Sequence, residues 1–268
     1  MDEHPTTRNI KLTIAYNGAA YHGWQRQADG IDTIQQRVEE AAGRILGHPV
    51  SVSGAGRTDA GVHAAGQVAN LHSANLCVPL TGLRRAMNSR LPGDIAILSA
   101  CEVPEAFHAS RSAVGKTYRY RLYTGPTRPV ELHRQVYHYW MDLDCEKMTS
   151  AAVKLIGTND FVGFATSAEQ RLNTVRTINT CQIHRQGDEL LITVDGDGFL
   201  YNMVRNIVGT LVEIGRGRWH PDQIEKVLAT RDRSNAGPTA PPDGLTLVCV
   251  HYRPEELVLS SHSKESPE

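Results

Sequence analysis

The chain has 268 residues, a formal net charge of −1, and 40% hydrophobic and 21% charged residues. This describes one large or two linked globular domains, and it excludes a uniformly basic protein, although a local basic patch remains possible. Five scattered cysteines without a Cys-x-x-Cys pair indicate neither a disulfide framework nor a zinc knuckle. There is no apolar run of transmembrane length and no signal-peptide pattern, so we expect a reduced, cytoplasmic protein.

The first half of the chain alternates strand and helix patterns. Residues 8–17 alternate apolar and polar side chains as a half-buried strand does, and Asp32-Thr33 caps a helix that Gly47 ends. Strands are predicted over 50–53 and 67–72, a helix over 80–90 and a last strand over 95–103. The order β-α-β-β-α-β is that of the ferredoxin-like split unit, which occurs in many RNA-binding folds.

A glycine-rich loop, residues 54–64, lies between two of these strands and carries one carboxylate, Asp59. Glycines allow positive φ and close approach, so the loop is a place for functional groups. The loop contains no cysteine and no second acid, which leaves Asp59 as a nucleophile or base rather than half of a glycosidase pair. The neighbouring Arg57 favours its ionised form. The structural alternative is an Asp that closes an Asx-turn, with Arg57 as a surface partner.

The string Gly56-Arg-Thr-Asp-Ala-Gly-Val-His-Ala64 resembles, without a gap, the signature of the TruA family of tRNA pseudouridine synthases. The resemblance implies that Asp59 is the catalytic nucleophile. His63, within the same string, is expected to order the loop through hydrogen bonds rather than to bind a metal. The chain has twelve histidines, but none has metal-ligand spacing, and no nucleotide-binding motif is present. We therefore predict no cofactor and no metal.

The second half repeats the first half's element order without a detectable sequence repeat. Its predicted elements, in chain order, are strands 116–123 and 135–141, a helix capped by Asp144 and running to 156, a hairpin of 174–184 and 189–195, helices 203–214 and 221–229, and a closing strand 245–252. From Arg253 the chain is polar, and we expect a disordered tail.

Strand 116–123 alternates strictly, with Tyr118, Tyr120 and Leu122 on one face and Arg119 and Arg121 on the other. Interleaved basic and aromatic side chains can combine phosphate contacts with base stacking. Cross-strand pairing on an exposed sheet face is an equally common explanation. Resemblance to the family implies that Tyr118 lies against the target base. A local excess of nine basic over four acidic residues from 84 to 134 fits an RNA partner.

Arg205 lies inside an apolar helical stretch, where an unpaired guanidinium is costly to bury. It must therefore reach solvent, pair with a structural acid or face the active site. The surrounding string, from Gly198 to Gly209, resembles the family closely, and the resemblance implies that Arg205 pairs with Asp59 and holds it ionised. Shorter and weaker matches at 159–161, 176–178 and 242–247 occur in the same order as in the family. The resemblance therefore covers roughly residues 8–252.

The linker between the halves departs from the family's pattern. The family has Phe-His-Ala-Arg, whereas Ser110 precedes Arg111 here. On an extended segment this displacement reverses the direction of the arginine. The substrate-binding residues expected from the resemblance are Tyr118, Arg57, Phe107, His108, Arg111 and Leu245.

The predicted fold is α+β: two ferredoxin-like (RRM-like) split β-α-β halves, 8–106 and 107–252, whose antiparallel sheets meet around a central RNA-binding cleft, with a flexible N-terminus (1–7) and the tail (253–268). The resemblance implies a pseudouridine synthase that isomerises uridine at positions 38–40 in the anticodon stem-loop of tRNA and acts as a homodimer, away from membranes. Two alternatives stay open: a non-catalytic RNA-binding module, and an enzyme acting on a free nucleoside or sugar.

Overall fold

The computed structural model describes residues 7–28, 30–74, 79–166 and 172–258. The first half contains, in chain order, β1 (Arg8–Tyr16), α1 (Ile34–Leu46), β2 (Ser53–Gly54), β3 (His63–Ser73), α2 (Leu80–Asn88) and β4 (Ile95–Val103). Thr33 caps α1 by accepting from the Gln36 N–H, and Gly47 ends it with φ of 77°. These helix ends agree with those predicted. Strand β2 is shorter than predicted, and β3 begins earlier, at His63.

The second half contains β5 (Ala113–Tyr123), β6 (Tyr137–His138), α3 (Cys145–Val153), β7 (Gly157–Asp160), β8 (Val175–Gln186), β9 (Glu189–Gly196), α4 (Met203–Gly215), α5 (Gln223–Thr230) and β10 (Leu245–Tyr252). Asp144 caps α3 as predicted, by accepting from the Lys147 N–H. Strand β7, which was not predicted, pairs with β8, and the predicted strand 135–141 is reduced to two residues.

The described strands form one sheet in the order β4-β1-β3-β10-β5-β9-β8-β7, with β2 on β3 and β6 on β5. Each half has the strand order of a split β-α-β unit: β4-β1-β3-β2 in the first, and β10-β5-β9-β8 in the second. The prediction of two such halves is confirmed. They share one continuous sheet rather than forming separate sheets, because β10 pairs antiparallel with β5 and parallel with β3 at His63 and Ala64.

The main core lies on one face of this sheet. Ile10, Leu12, Ile14 and Tyr16 of β1 and Tyr118, Tyr120 and Leu122 of β5 are all buried in it, which is the period-2 pattern read from the sequence. A smaller cluster lies on the other face and contains Val68, Phe107 and Ala109, with Tyr252 and Leu257 packed against it.

The expectation that the tail is disordered from Arg253 is wrong for its first residues. Pro254–Leu257 form a 3₁₀ helix, and Leu257 packs against the smaller cluster, because its apolar side chain gains more from burial there than from exposure. The rest of the predicted tail, from 259 onward, and the predicted flexible residues 1–6 lie outside the described residues. Among the helices of the described ranges, none has the length and apolar character needed to cross a membrane.

Candidate active site

The loop that carries Asp59 is held by backbone contacts rather than by regular structure. The Val62 N–H donates to the Asp59 carbonyl at 3.1 Å, and Gly61 has φ of 81°. The Trp24 N–H donates to the Thr58 carbonyl at 3.0 Å, and the Thr58 hydroxyl lies 2.8 Å from the Tyr16 hydroxyl. The loop is therefore fixed from both sides, and the Asp59 side chain has a defined position.

Arg205 faces the site from the first turn of α4. Its Nη1 donates to Asp59 Oδ2 at 3.2 Å and to Asn202 Oδ1 at 2.8 Å, while its Nε donates to the Ala240 carbonyl at 2.7 Å. The Arg205 side chain is 16% exposed. Of the three interpretations of this buried arginine, the geometry is that of the site-facing partner. Over the described ranges the Asp59 carboxylate pairs with Arg205 and makes no Asx-turn bond to its own backbone.

Burial raises the pKa of the Asp59 carboxyl above its ordinary value, although the Arg205 charge and its hydrogen bond act in the opposite direction. We expected the cationic neighbours, Arg57 and Arg205, to have the larger effect and to favour the ionised form of Asp59. Desolvation wins because a single guanidinium, shared with Asn202 and Ala240, replaces only part of the carboxylate's lost hydration. A poorly solvated carboxylate is a more reactive nucleophile or base than a fully hydrated one.

Asn202 lies in the site and contacts Arg205, and the sequence analysis missed it. It precedes α4 in the left-handed conformation, with φ of 58°, and its side-chain oxygen accepts from Arg205. Asn tolerates this conformation better than most residues, and strained positions of this kind cluster at functional sites. An Asn three residues before a buried Arg in a helix was the available signal.

Tyr118 and Leu245 form the apolar floor beside Asp59. Tyr118 is 8% exposed and meets the Phe199 ring edge-on, with centroids 5.2 Å apart and planes at 85°. Burial raises the pKa of the Tyr118 hydroxyl, so the ring stays neutral at physiological pH. Leu245 opens β10 and is also buried. The structure therefore brings these two predicted residues to the site.

A cleft of about 630 Å³ opens over Asp59 where the two halves meet. Its lining includes three cationic side chains, Arg57, Lys116 and Arg205, against the single carboxylate of Asp59. Arg57 is exposed and, within the described ranges, pairs with no carboxylate. The remaining polar and aromatic lining includes Trp24, Gln25, Ser110, Phe199, Tyr201 and Asn202. An apolar floor with a cationic rim suits a base attached to a phosphate backbone.

The linker residues are distributed differently from the expectation. Phe107 is 2% exposed and is buried in the smaller cluster, where its ring centroid lies 5.1 Å from that of Tyr252. It does not line the cleft. His108 is partly buried, and its Nδ1 accepts from the backbone N–H groups of Ser110 and Arg111. Arg111 is exposed outside the lining, whereas Ser110 lines the cleft.

Arg111 is not on an extended segment, so the expected reversal of its direction is wrong. The Ser112 N–H donates to the His108 carbonyl at 2.9 Å, which closes a turn over 108–112. In a turn the direction of a side chain does not alternate with position.

The basic residues of β5 that the sequence analysis singled out lie on the far face of the strand. Arg121 pairs with Glu189 at 2.8 Å, and Arg119 shares its face. Of the nine basic residues between 84 and 134, Lys116 is the one that lines the cleft. Because Lys116 is two positions before Tyr118, it shares the face of Tyr118.

His63 orders the loop, as predicted. Its Nδ1 accepts from the Gly18 N–H at 3.1 Å, and its Nε2 lies 3.1 Å from the Asp243 carbonyl. With Nδ1 as acceptor, Nε2 carries the proton and donates. Across the described part of the chain, no group of three or more His, Cys, Asp or Glu side chains is placed to hold a metal ion.

The sequence matches the family model of tRNA pseudouridine synthases over residues 12–110 and 151–253. A tRNA pseudouridine synthase A from Acinetobacter baumannii is 42% identical over 246 residues, which cover 92% of each chain. A tRNA pseudouridine synthase A 2 from Clostridium perfringens and a tRNA pseudouridine synthase A from Acetivibrio thermocellus are each 44% identical over 245 residues, 91% of this chain and 100% of theirs. The chain belongs to the TruA family of tRNA pseudouridine synthases.

Proposed function

We propose that the chain isomerises uridine to pseudouridine at positions 38–40, in the anticodon stem-loop of tRNA, with Asp59 as the nucleophile. The observation that carries the proposal is the Asp59 carboxylate, held by a closed loop and by Arg205 Nη1 at 3.2 Å, above a cleft with an apolar floor and a cationic rim. Family membership supports the reaction and the substrate class.

The uridine must leave its stack to reach Asp59, at a cost of a few kcal/mol. In the cleft the base lies against Tyr118 and Leu245, while Arg57, exposed at the rim, fills the vacated position or holds a phosphate. Family resemblance assigns these roles, and the position of the three side chains around one cleft supports them.

Asp59 attacks the bound uridine and forms a covalent bond to it. The bond from base N1 to the sugar carbon breaks, the base rotates within the pocket, and its carbon five joins the same sugar carbon. The bond to Asp59 then breaks and frees the carboxylate, the proton on carbon five is lost to solvent, and N1 takes up a proton, so atoms and charge balance without an energy source. Arg205 orients the carboxylate and offsets part of its desolvation cost.

As partners we propose tRNA and a second copy of this chain, in the cytoplasm. A tRNA is larger than a cleft of about 630 Å³, so the rest of it needs further surface, which a homodimer would supply. Light scattering of the purified protein tests the dimer, because a monomer at micromolar concentration would contradict it.

The reaction is tested by the release of tritium from 5-tritiated uridine in bulk tRNA, with wild type compared with Asp59→Asn. We expect release by wild type and at least a 10³-fold loss in the variant with tRNA binding retained. Equal release from both would remove Asp59 from the mechanism. Binding without release from either would favour an RNA-binding module, and turnover of free uridine would favour a nucleoside enzyme.

A further inference from the structure

Of the three cationic side chains that line the cleft, Lys116 is the one that the proposed mechanism does not use. It lies on β5 two positions before Tyr118, on the same face, and lines the cleft. A methyl group built on Gly56 would lie 2.8 Å from the Lys116 ammonium nitrogen. The ammonium therefore sits directly over the backbone of Gly56, three positions before Asp59.

The other cations around the cleft have different surroundings. Arg205 donates hydrogen bonds to Asp59, Asn202 and Ala240, and these bonds hold its guanidinium against the Asp59 carboxylate. Arg57 lies exposed at the rim. Lys116 is only partly exposed, and its ammonium has three donors, enough to bind an oxyanion in addition to a contact within the protein.

Two other residues of the cleft lining are small. Gly56 has no side chain, so a sugar–phosphate backbone can approach the loop closely. Ser110 presents a hydroxyl, a common phosphate donor, from a turn fixed by the bond from its N–H to His108 Nδ1 at 3.2 Å.

We propose that Lys116, with the Ser110 hydroxyl, binds the RNA phosphate adjacent to the reacting uridine. An ammonium is a compact charge suited to phosphate oxygens. The contact anchors the backbone beside Asp59 while the base enters the floor at Tyr118. This inference rests on the proposed function, because it takes the ligand to be a tRNA strand.

The test is the salt dependence of tRNA binding for wild type, Lys116→Met, Lys116→Arg and Lys226→Met. Lys226 is exposed on α5 outside the cleft, so Lys226→Met is matched in charge and side-chain volume. We expect Lys116→Met to bind about tenfold more weakly at low salt. Its slope of log Kd against log salt should be smaller by about 0.7 to 0.9, the value for one lost phosphate contact. Lys116→Arg and Lys226→Met should keep the wild-type slope.

Gly56→Ala gives a second, independent probe. Its methyl group would displace the flexible ammonium without requiring a new backbone conformation. Introduced alone, Gly56→Ala should reduce the slope of log Kd against log salt. Added to Lys116→Met, it should cause no further reduction, as expected if the two residues are coupled.

The outcomes separate the two proposals. If wild type turns over tRNA and Lys116→Met keeps the wild-type slope and affinity, the Lys116 assignment is overturned and the proposed function stands. If wild type neither binds nor turns over tRNA, the proposed function fails and the phosphate subsite fails with it.

Discussion

At the scale of single residues, the site depends on how a carboxylate is kept reactive in a poorly solvated place. Burial raises the pKa of Asp59. Arg205 offsets part of this rise through its charge and through the hydrogen bond of 3.2 Å from its Nη1 to Asp59 Oδ2. Arg205 itself is held by Asn202 and by the Ala240 carbonyl. The ionisation of Asp59 should therefore respond to changes in the residues that hold Arg205.

The raised pKa of Asp59 predicts an acid limb in the pH–rate profile. As pH falls through that pKa the proposed nucleophile is protonated, so single-turnover rates of tritium release should fall. In Arg205→Gln the pKa rises further because the cation is gone, and the fall should begin at higher pH, with at least ~10²-fold lower rate near neutrality. Arg218→Gln, which removes a surface partner of Glu213, is the matched control. Identical limbs in Arg205→Gln and wild type would show that Asp59 does not control the profile.

Asn202 is predicted to position Arg205, and two variants separate this role from its backbone conformation. Asn202→Gly and Asn202→Ala both remove one of the two acceptors of Arg205 Nη1, so kcat/KM should fall to a similar extent in both. Alanine also carries the left-handed strain, so Asn202→Ala should lose about 1 kcal/mol more of unfolding free energy in urea titrations. Wild-type activity in Asn202→Gly would contradict the role.

At the scale of elements, α4 and the segment 236–240 are in backbone contact. A methyl group on Gly209 would lie 1.7 Å from the Pro238 carbonyl oxygen, and one on Gly237 would lie 2.6 Å from the Gly209 backbone. Since Ala240 in this segment holds Arg205, the close approach of the two backbones sets the position of the guanidinium. Gly209 of α4 and Gly237 of the segment allow this approach, although glycine by itself weakens a helix.

Gly209→Ala is predicted to separate α4 from this segment. Because backbone atoms cannot move aside as a flexible side chain can, the free energy of unfolding should fall by about 3 kcal/mol, and tritium release should fall with it. Gly93→Ala is the control, since a methyl group there meets nothing within 4 Å. Unchanged stability in Gly209→Ala, measured by chemical denaturation, would refute the close contact.

At the scale of the whole molecule, the halves are joined by β10 and by His63. The histidine connects Gly18 of the first half to Asp243, just before β10, through both ring nitrogens. This arrangement needs the neutral ring, and burial accordingly lowers the pKa of His63 below its ordinary value. The joint between the halves is thus sensitive to protonation.

The lowered pKa of His63 fixes the sign of a stability change with pH. The stabilisation is fully present above the ordinary histidine pKa of about 6.5 and is lost as pH falls through the lowered value. The melting temperature of wild type should therefore decrease from about pH 8 to pH 5. His63→Gln should be less stable at pH 8 and lose less on acidification, whereas the exposed His220→Gln should follow wild type. Parallel curves for His63→Gln and wild type would contradict the assignment.

The sequence by itself determined the elements whose causes are local. The alternation of β1 and β5, the cap at Thr33 and the stop at Gly47 are properties of neighbouring residues, and they predicted the strand faces and the helix ends. The signature around Asp59 identified the loop and its family. Strand β7 and the short β2 and β6 were missed or misjudged in length because their extent depends on a partner strand rather than on their own residues.

Only the tertiary structure decided which side chains meet. Asp59 and Arg205 are 146 positions apart in sequence, and their separation of 3.2 Å arises because β10 closes the sheet between the halves. The same closure buries Asp59 enough to raise its pKa, directs Lys116 rather than Arg119 or Arg121 to the cleft, and leaves Phe107 in the opposite core. How deeply a side chain is buried and which site it faces depend on contacts with residues that are distant in sequence. No local sequence pattern determines them.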